Sequence, residues 1–572
     1  MCAVKAIGLS KQTSFWRTVC LTLVTREPEA SLEPMSFSAG LQLTGLDDYI
    51  APSQACIKPV EMPKADTSRG VIAIELEDDG TYSELGGDGS RVKLAPAKIT
   101  LNDCLACSGC ITSAESVLIT QQSVDELLSV LQHPAAPPAG ASSSSSPPSK
   151  LQMVVSVAPQ CWASLAAHLD LSGGEALGVI SGLFRGLGAV AVLDLALAKD
   201  VSVIETCAHA EAVHRTQQAA TRKTPVLASA CPGWICYAEK REHKALPFIS
   251  PVKSPQQIAG TLVKRLWARQ RGLRPEEVYH VCIMPCYDKK LEASRPEFRV
   301  DEDTAAAREV DLVLSASELL ELAGKVLPDL EQLKNVPRGA VETLSGEIRD
   351  PHTLATVPEW GTAGSSGGFA EYAFVHLARQ VHNRAVVVCE AGAPVGVAST
   401  GGAGDVDMDD AECARGGGGH ICRWKQGRNS DIHELVLEAN ADGGGKQVLV
   451  KVARCYGFRN IQNIAKQIKS IKGCGYDFVE VMACPSGCVN GGGLLRVPEG
   501  ASETPKERLA RVVELFRSGQ RVRAPWENQQ AVAVYDSFLQ GPPNSPAAAA
   551  FLHTSYKAAE DPALVNPIGI QW

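Results

Sequence analysis

The chain has no excess of basic charge: 55 Lys and Arg stand against 64 Asp and Glu, a formal net charge of −9. Proteins that bind nucleic acid concentrate Lys and Arg on one face, so this balance argues against nucleic acid as the main partner. Also missing is any apolar run approaching the roughly 20 residues of a membrane span. A soluble chain with no membrane partner is expected. No internal repeat stands out. What the sequence has in quantity is cysteine, 19 in 572 residues. The count is odd and the chain is too large to need disulfide staples, which points to a reducing compartment and metal-bound thiolates. That length exceeds one typical domain, so two or more cores are expected. The hydrophobic fraction of 45% is ordinary for such a protein.

Three cysteines at i, i+3 and i+6 lie in Asn102-Asp103-Cys104-Leu105-Ala106-Cys107-Ser108-Gly109-Cys110. Thiolates so spaced converge on one cubane, as in bacterial ferredoxin-type [4Fe–4S] loops. A structural zinc usually takes two separated Cys-x-x-Cys knuckles, and the second pair is absent. The ferredoxin pattern continues with a fourth cysteine after three intervening residues, whereas Ser113 and Ala114 occupy that region here. One ligand must come from elsewhere, and Cys56 is the candidate. Far downstream, Val479-Glu480-Val481-Met482-Ala483-Cys484-Pro485-Ser486-Gly487-Cys488 runs into Gly491-Gly492-Gly493. The alternation over Phe478–Met482 predicts a strand. Gly487 and Gly491 to Gly493 supply backbone able to take positive φ and wrap a bulky inorganic group. Taken alone, Cys484 and Cys488 read equally well as buried structural cysteines.

Val124 to Leu131 reads as a helix, followed by the Pro- and Ser-rich stretch from His133 to Pro148, too poor in apolar residues to bury a core. Beyond it, strand-like runs at Met153, Ala189, Val226, Val278 and Val310 alternate with helical segments. Such alternation predicts an α/β fold with a largely parallel sheet. Gly182, Gly186 and Gly188 end a helix and lead into a strand, the reverse of the order in a dinucleotide loop. Cys231, in Ser229-Ala230-Cys231-Pro232-Gly233-Trp234, and Cys286, in Met284-Pro285-Cys286-Tyr287-Asp288-Lys289-Lys290, each follow a strand. Sites of open α/β sheets gather at the carboxyl ends of strands. Cys231, Cys286, Cys484 and Cys488 then make a four-thiolate set.

These three segments resemble the signature motifs of the iron-only hydrogenases. More closely, the chain resembles their non-hydrogenase eukaryotic relatives, the cytosolic iron-only hydrogenase-like (nuclear prelamin A recognition factor-like) proteins of cytosolic iron–sulfur protein assembly. The resemblance runs from Met35 to Trp572 and includes Leu101 to Gln122, Ser254-Pro255-Gln256-Gln257 and the terminal Gly569-Ile570-Gln571-Trp572. It implies an extension over 1–34, an N-terminal Fe–S domain over 35–122, a helix and linker over 123–150, a hydrogenase-like large domain over 151–500, and small-subunit-like helices and tail over 501–572. The extension has Lys5, Lys11, Arg17 and Arg26 before its first acid, Glu27, a composition also found in organellar transit peptides. A start at Met35 favours a stretch outside the fold, so Cys2 and Cys20 receive no role.

By the same resemblance Cys56, Cys104, Cys107 and Cys110 hold one [4Fe–4S] cluster, and Cys231, Cys286, Cys484 and Cys488 hold a second, more deeply buried one. The second carries a net charge of about −2 in its oxidised form. Lys289 and Lys290 are expected to offset it, and the Gly491 to Gly493 amides to donate to sulfur; a solvated lysine pair is the plainer reading. The loop Thr362 to Phe369 reads as a cover over the site or as a surface turn. Where hydrogenases carry a proton-relaying cysteine, this chain has Ala230, and Leu494-Leu495 replace their usual Gln-Pro. The expectation is therefore no hydrogen turnover, no diiron subsite and no enzyme. The resemblance instead implies a cytoplasmic, and also nuclear, adaptor between a P-loop NTPase cluster scaffold and a late targeting complex, which docks through Trp572. A tail tryptophan packed on its own domain is the plainer reading of Trp572. An iron-only hydrogenase, an electron-transfer protein and an oxygen or oxidant sensor remain alternatives. The other cysteines, Cys413 and Cys422 among them, read as core or surface thiols.

Overall fold

In the computed structural model, residues 118–132, 151–217, 224–300, 307–344, 365–390, 420–427, 431–440, 445–470, 473–498, 500–518 and 524–559 are described, with Asn429 and some strand backbone outside these ranges. Cys56, Cys104, Cys107, Cys110, Cys413, Trp572, the linker and the first part of the Thr362 loop lie outside the described residues. The chain divides into two compact units, one of them Pro28–Ser116. In that unit β1 (Val71–Leu76), β2 (Tyr82–Gly86) and β3 (Arg91–Lys93) form an antiparallel sheet.

The larger unit is built on two main sheets. In the first, β4 (Gln152–Val157), β5 (Ala191–Asp194), β7 (Val278–Met284) and β8 (Leu312–Ser315) pair in parallel in the order β5-β4-β7-β8. A short hairpin of β9 (Val341–Glu342) and β10 (Ile348–Arg349) extends it beside β5. Parallel strands covered on both faces read as nearly continuous apolar runs. That is why Met153, Val154, Val155 and Val157 are all buried.

The second sheet gathers strands that are far apart in sequence. Its order is β14-β15-β16-β17-β6, with β6 (Val226–Ala228), β14 (Lys425–Gln426), β15 (Ile432–Asn440), β16 (Lys446–Tyr456) and β17 (Phe478–Met482). The pair β15/β16 is antiparallel, whereas β16/β17 and β17/β6 are parallel. A third sheet joins β11 (Val386–Glu390), β12 (Ala393–Val397) and β13 (His420–Arg423). The expected largely parallel sheet is thus one mainly parallel sheet and one mixed sheet, because β6 pairs with β17 and not with the strand that follows it. Each main sheet has its own apolar core. Among the described residues no helix is long and apolar enough to cross a membrane.

Helices follow where the sequence places them. Val124–Gln132 (α1) is helical, and Gly173–Gly186 (α2) starts in a capping box between Ser172 and Glu175 and ends at the glycines that precede β5. Ala196–Thr216 (α3) packs against Phe369–Gln380 (α6). Two shorter helices leave cysteine-bearing strand ends: Pro232–Lys240 (α4) after β6 and Asp288–Ser294 (α5) after β7. Toward the C-terminus, Pro505–Ser518 (α7), Gln529–Ala533 (α8) and Pro546–Leu552 (α9) lie against the large domain. Buried Glu205 of α3 accepts hydrogen bonds from the Tyr535 hydroxyl at 2.9 Å and the Asn544 amide at 3.0 Å, with His553 Nε2 at 2.8 Å.

Candidate metal centre

The carboxyl ends of β6, β7 and β17 meet, although β7 belongs to one sheet and β6 and β17 to the other. Cys231 follows β6 and caps α4, with Pro232 at the first helical position. Cys286 follows β7, just before α5, and Cys484 and Cys488 follow β17. Cys286 is the centre of the group: burial pushes its thiol well above the ordinary range, and Asp288, Cys484, Cys231 and Cys488 each push it further. Cys231 is pushed up to about 12, first by burial and then by Cys488 and Asp288. Burial also raises Cys488. Like charges within reach of one another in a low-dielectric site cannot all ionise without a cation. The fold thus brings these thiols together where burial favours their neutral forms unless a cation offsets the charge. Among the described residues no three His, Cys, Asp or Glu side chains are grouped so as to hold a single metal ion.

The expected glycine role is corrected. Only Gly487 takes a positive φ, +83°, while Gly491 sits at −61°. The amides of Gly491 and Gly493 donate to the carbonyls of Cys488 and Pro285, at 3.1 and 2.9 Å, and not to sulfur. A Cβ at Gly491 would stand 2.3 Å from the Pro285 oxygen, and one at Gly493 would stand 3.3 Å from Cys286 Cα. These glycines let the Cys488 and Cys286 loops touch. The Ala483 amide does reach sulfur, 3.5 Å from Cys231 Sγ, and the Trp234 amide also donates to that thiol.

The lysine pair also divides. Lys289 Nζ meets Ser254 Oγ at 3.0 Å and Glu292 at 2.6 Å, and its charge eases ionisation of Cys488. Lys290 is committed elsewhere, to Glu318 at 2.5 Å and the Gln122 carbonyl at 2.6 Å. Ser366, in the described end of the Thr362 loop, accepts from the Cys488 amide at 2.9 Å, and Ser365 donates to the Ser486 carbonyl at 2.7 Å. Ser229 ties the other side, donating to the Val481 carbonyl at 2.6 Å and accepting from the Cys231 amide at 3.0 Å. Met482 Sδ lies 3.9 Å from Cys488 Sγ. Sequence spacing gave no signal for Ser366, which acts on a loop 122 residues away, nor for the reach of Ser229 to Val481 and of Asp288 to Cys231.

Asp288 is the unusual member. Burial raises it to about 6 against the pull of Lys289, so the fold prefers its neutral form. That preference costs the metal-free fold stability as pH rises from about 4 through 6. The Asp288→Asn variant of metal-free protein is expected to be more stable than the parent by about 1–2 kcal/mol at pH 7. Denaturation at pH 4 and pH 7 measures this, and the gain should vanish at the lower pH.

Residues 151–492 match the family described as iron only hydrogenase large subunit, C-terminal domain, and 505–559 match iron hydrogenase small subunit. A solved FeFe-hydrogenase, HydA1 from Chlamydomonas reinhardtii, covers 76% of this chain and 99% of its own at a TM-score of 0.57 and 23% identity, which shows the fold. A Pongo abelii protein named "Cytosolic iron-sulfur assembly component 3" is 41% identical over 94% of this chain and 99% of its own. A Xenopus tropicalis protein named "Cytosolic Fe-S cluster assembly factor narfl" is 39% identical over the same shares. With both hydrogenase subunit regions matched and identity sustained over nearly the whole length, the chain belongs to the iron-only hydrogenase-like family that includes cytosolic iron–sulfur assembly component 3.

Proposed function

We propose that the chain is a component of cytosolic iron–sulfur cluster assembly that holds two [4Fe–4S] clusters, one on Cys56, Cys104, Cys107 and Cys110 and one on Cys231, Cys286, Cys484 and Cys488. The observation that carries this reading is the convergence of three cysteine-bearing strand ends on Cys286, in a chain whose relatives are named as assembly factors. A bound cluster supplies labile iron and sulfide and one-electron chemistry. The chain's own residues bind and shield it: Ala483 N–H faces Cys231 sulfur, Lys289 offsets charge at Cys488, and Ser366 fixes the Cys488 loop.

The chain passes clusters between a P-loop NTPase scaffold and a late targeting complex, with Trp572 as the docking residue for the latter. Family membership and the sequence Gly569-Ile570-Gln571-Trp572 support this part. It works in the cytoplasm, and also serves nuclear proteins, without being an enzyme. Ala230 supports that last point, because a methyl group cannot relay a proton to a reacting centre.

Iron and acid-labile sulfide analysis of anaerobically purified protein, beside a hydrogen-evolution assay, tests the reading. About eight of each per chain, and about four in Cys104→Ala, are expected for two cubanes, with no hydrogen. Zinc in place of iron would overturn the cofactor assignment, and hydrogen evolution would make the chain an enzyme.

A further inference from the structure

Beyond α9 the chain continues as a strap over residues 553–559. His553 forms an antiparallel bridge with Val252, flanked by hydrogen bonds from the Lys253 amide to the Leu552 carbonyl at 2.8 Å and from the Thr554 amide to the Pro251 carbonyl at 2.7 Å. The strap then reaches α4, the helix that starts at Cys231. Its Lys557 amide donates to Glu239 Oε1 at 3.2 Å, and its Ala559 amide donates to the Glu239 carbonyl at 2.7 Å. Half-buried Tyr556 packs against the core of the second sheet, within the field of Glu292, Arg295, Glu239 and Glu297.

Glu239 has a second task. Both of its oxygens accept from Arg295, at 2.7 and 2.9 Å. Arg295 caps the C-terminal end of α5, the helix that leaves Cys286. Bidentate Arg–carboxylate pairs fix geometry as well as contributing energy. The two helices that carry ligands at their near ends are therefore fastened at their far ends by one clamp, and the strap closes on it. Glu239 stands seven residues beyond Pro232, about 10 Å along the helix axis, so the clamp acts at a distance through rigid helix.

We propose that Glu239, Arg295 and Tyr556 form a latch that positions Cys231 and Cys286 for the buried cluster, and that the strap in turn stays seated only while that cluster ties the near ends of α4 and α5. The inference rests on the reading that Cys231, Cys286, Cys484 and Cys488 hold a cluster. Glu239, Arg295 and Tyr556 are positioning residues that act through the helices.

The test uses the full chain, reconstituted anaerobically in the Cys104→Ala background so that iron reports the buried site. Release of iron to a ferrous chelator is followed for the parent, Tyr556→Ala, Glu239→Gln and Tyr556→Phe. Hydrogen exchange at the Lys557 and Ala559 amides is compared between cluster-loaded and cluster-free protein. Tyr556→Ala and Glu239→Gln are expected to speed release about tenfold, Tyr556→Phe to match the parent, and both amides to exchange about tenfold faster without cluster. Unchanged release in Tyr556→Ala, or equal amide protection in the two states, overturns the latch alone. No iron in the Cys104→Ala protein overturns the cluster reading and the latch with it. Should Glu239→Gln fail to fold, the exchange comparison on the otherwise unaltered chain still decides.

Discussion

Replacing Cys286 by alanine is expected to remove the buried cluster altogether, lowering iron from about eight to about four per chain. Its thiol is the one on which Cys231, Cys484 and Cys488 all bear. Its loop is braced by the Gly493 amide on Pro285. On the two-cluster reading, losing it removes one of four ligands, and burial holds the thiols of Cys231 and Cys488 above the ordinary range. Because metal binding to a folded site adds its free energy to that of folding, the variant should also lose several kcal/mol of stability relative to loaded parent. Cys282→Ala is the control. Cys282 lies fully buried in β7, with its sulfur 3.6 Å from His280 Nε2 and no cluster to serve. It should keep full iron and lose only the roughly 1 kcal/mol of a small core cavity. Iron analysis and thermal midpoints on the two variants decide the matter; full iron in Cys286→Ala would sink the assignment.

The part of this site legible in the sequence was the part carried by local pattern. Cys231, Cys286, Cys484 and Cys488 each stand just past a short apolar run, and a run of that kind is a strand whether its neighbours are known or not. The helix at Val124 and the glycine-terminated helix before β5 were legible for the same reason. Pairing was not. That β6 joins β17, some 250 residues away, is decided by which faces bury one another, and periodicity says nothing about that. The same limit hid Ser366 beneath the Cys488 loop. It also made Lys290 look like a partner of the cluster: its sequence neighbour Lys289 faces the site, but helical geometry turns Lys290 toward Glu318. Tyr556 and Glu239 were invisible for a plainer reason, since nothing in their own segments distinguishes a strap contact from a surface helix.

The other large effect lies behind the site. Arg454 on β16 stands in register beside Glu480 on β17 and forms an ion pair with Glu371 of α6. Both carboxylates are fully buried and Arg454 is 5% exposed. Burial raises Glu480, held against that by the Ala370 amide at 2.9 Å, Arg454 and the Tyr456 hydroxyl at 3.0 Å. Removing Arg454 leaves two buried acids without their paired guanidinium, and truncating one partner of a buried pair costs about 3–5 kcal/mol. Arg454→Ala is therefore expected to lower stability by that amount at pH 8. An acid raised by burial, as Glu480 is, costs stability as pH rises through its range, so the loss should shrink toward pH 5. The double variant Arg454→Met with Glu371→Met should recover part of it, because apolar replacement of a buried pair is often neutral while Glu480 keeps only the Ala370 amide and Tyr456 hydroxyl. Since Glu480 anchors the start of α6, directly after the Ser365 to Gly368 loop that supports Cys488, the single variant should also release iron faster than the double one. Denaturation at the two pH values and chelator-release rates on the same preparations separate these effects. Equal stability of parent and Arg454→Ala at pH 8 would show that the buried acids are already neutral and need no cation.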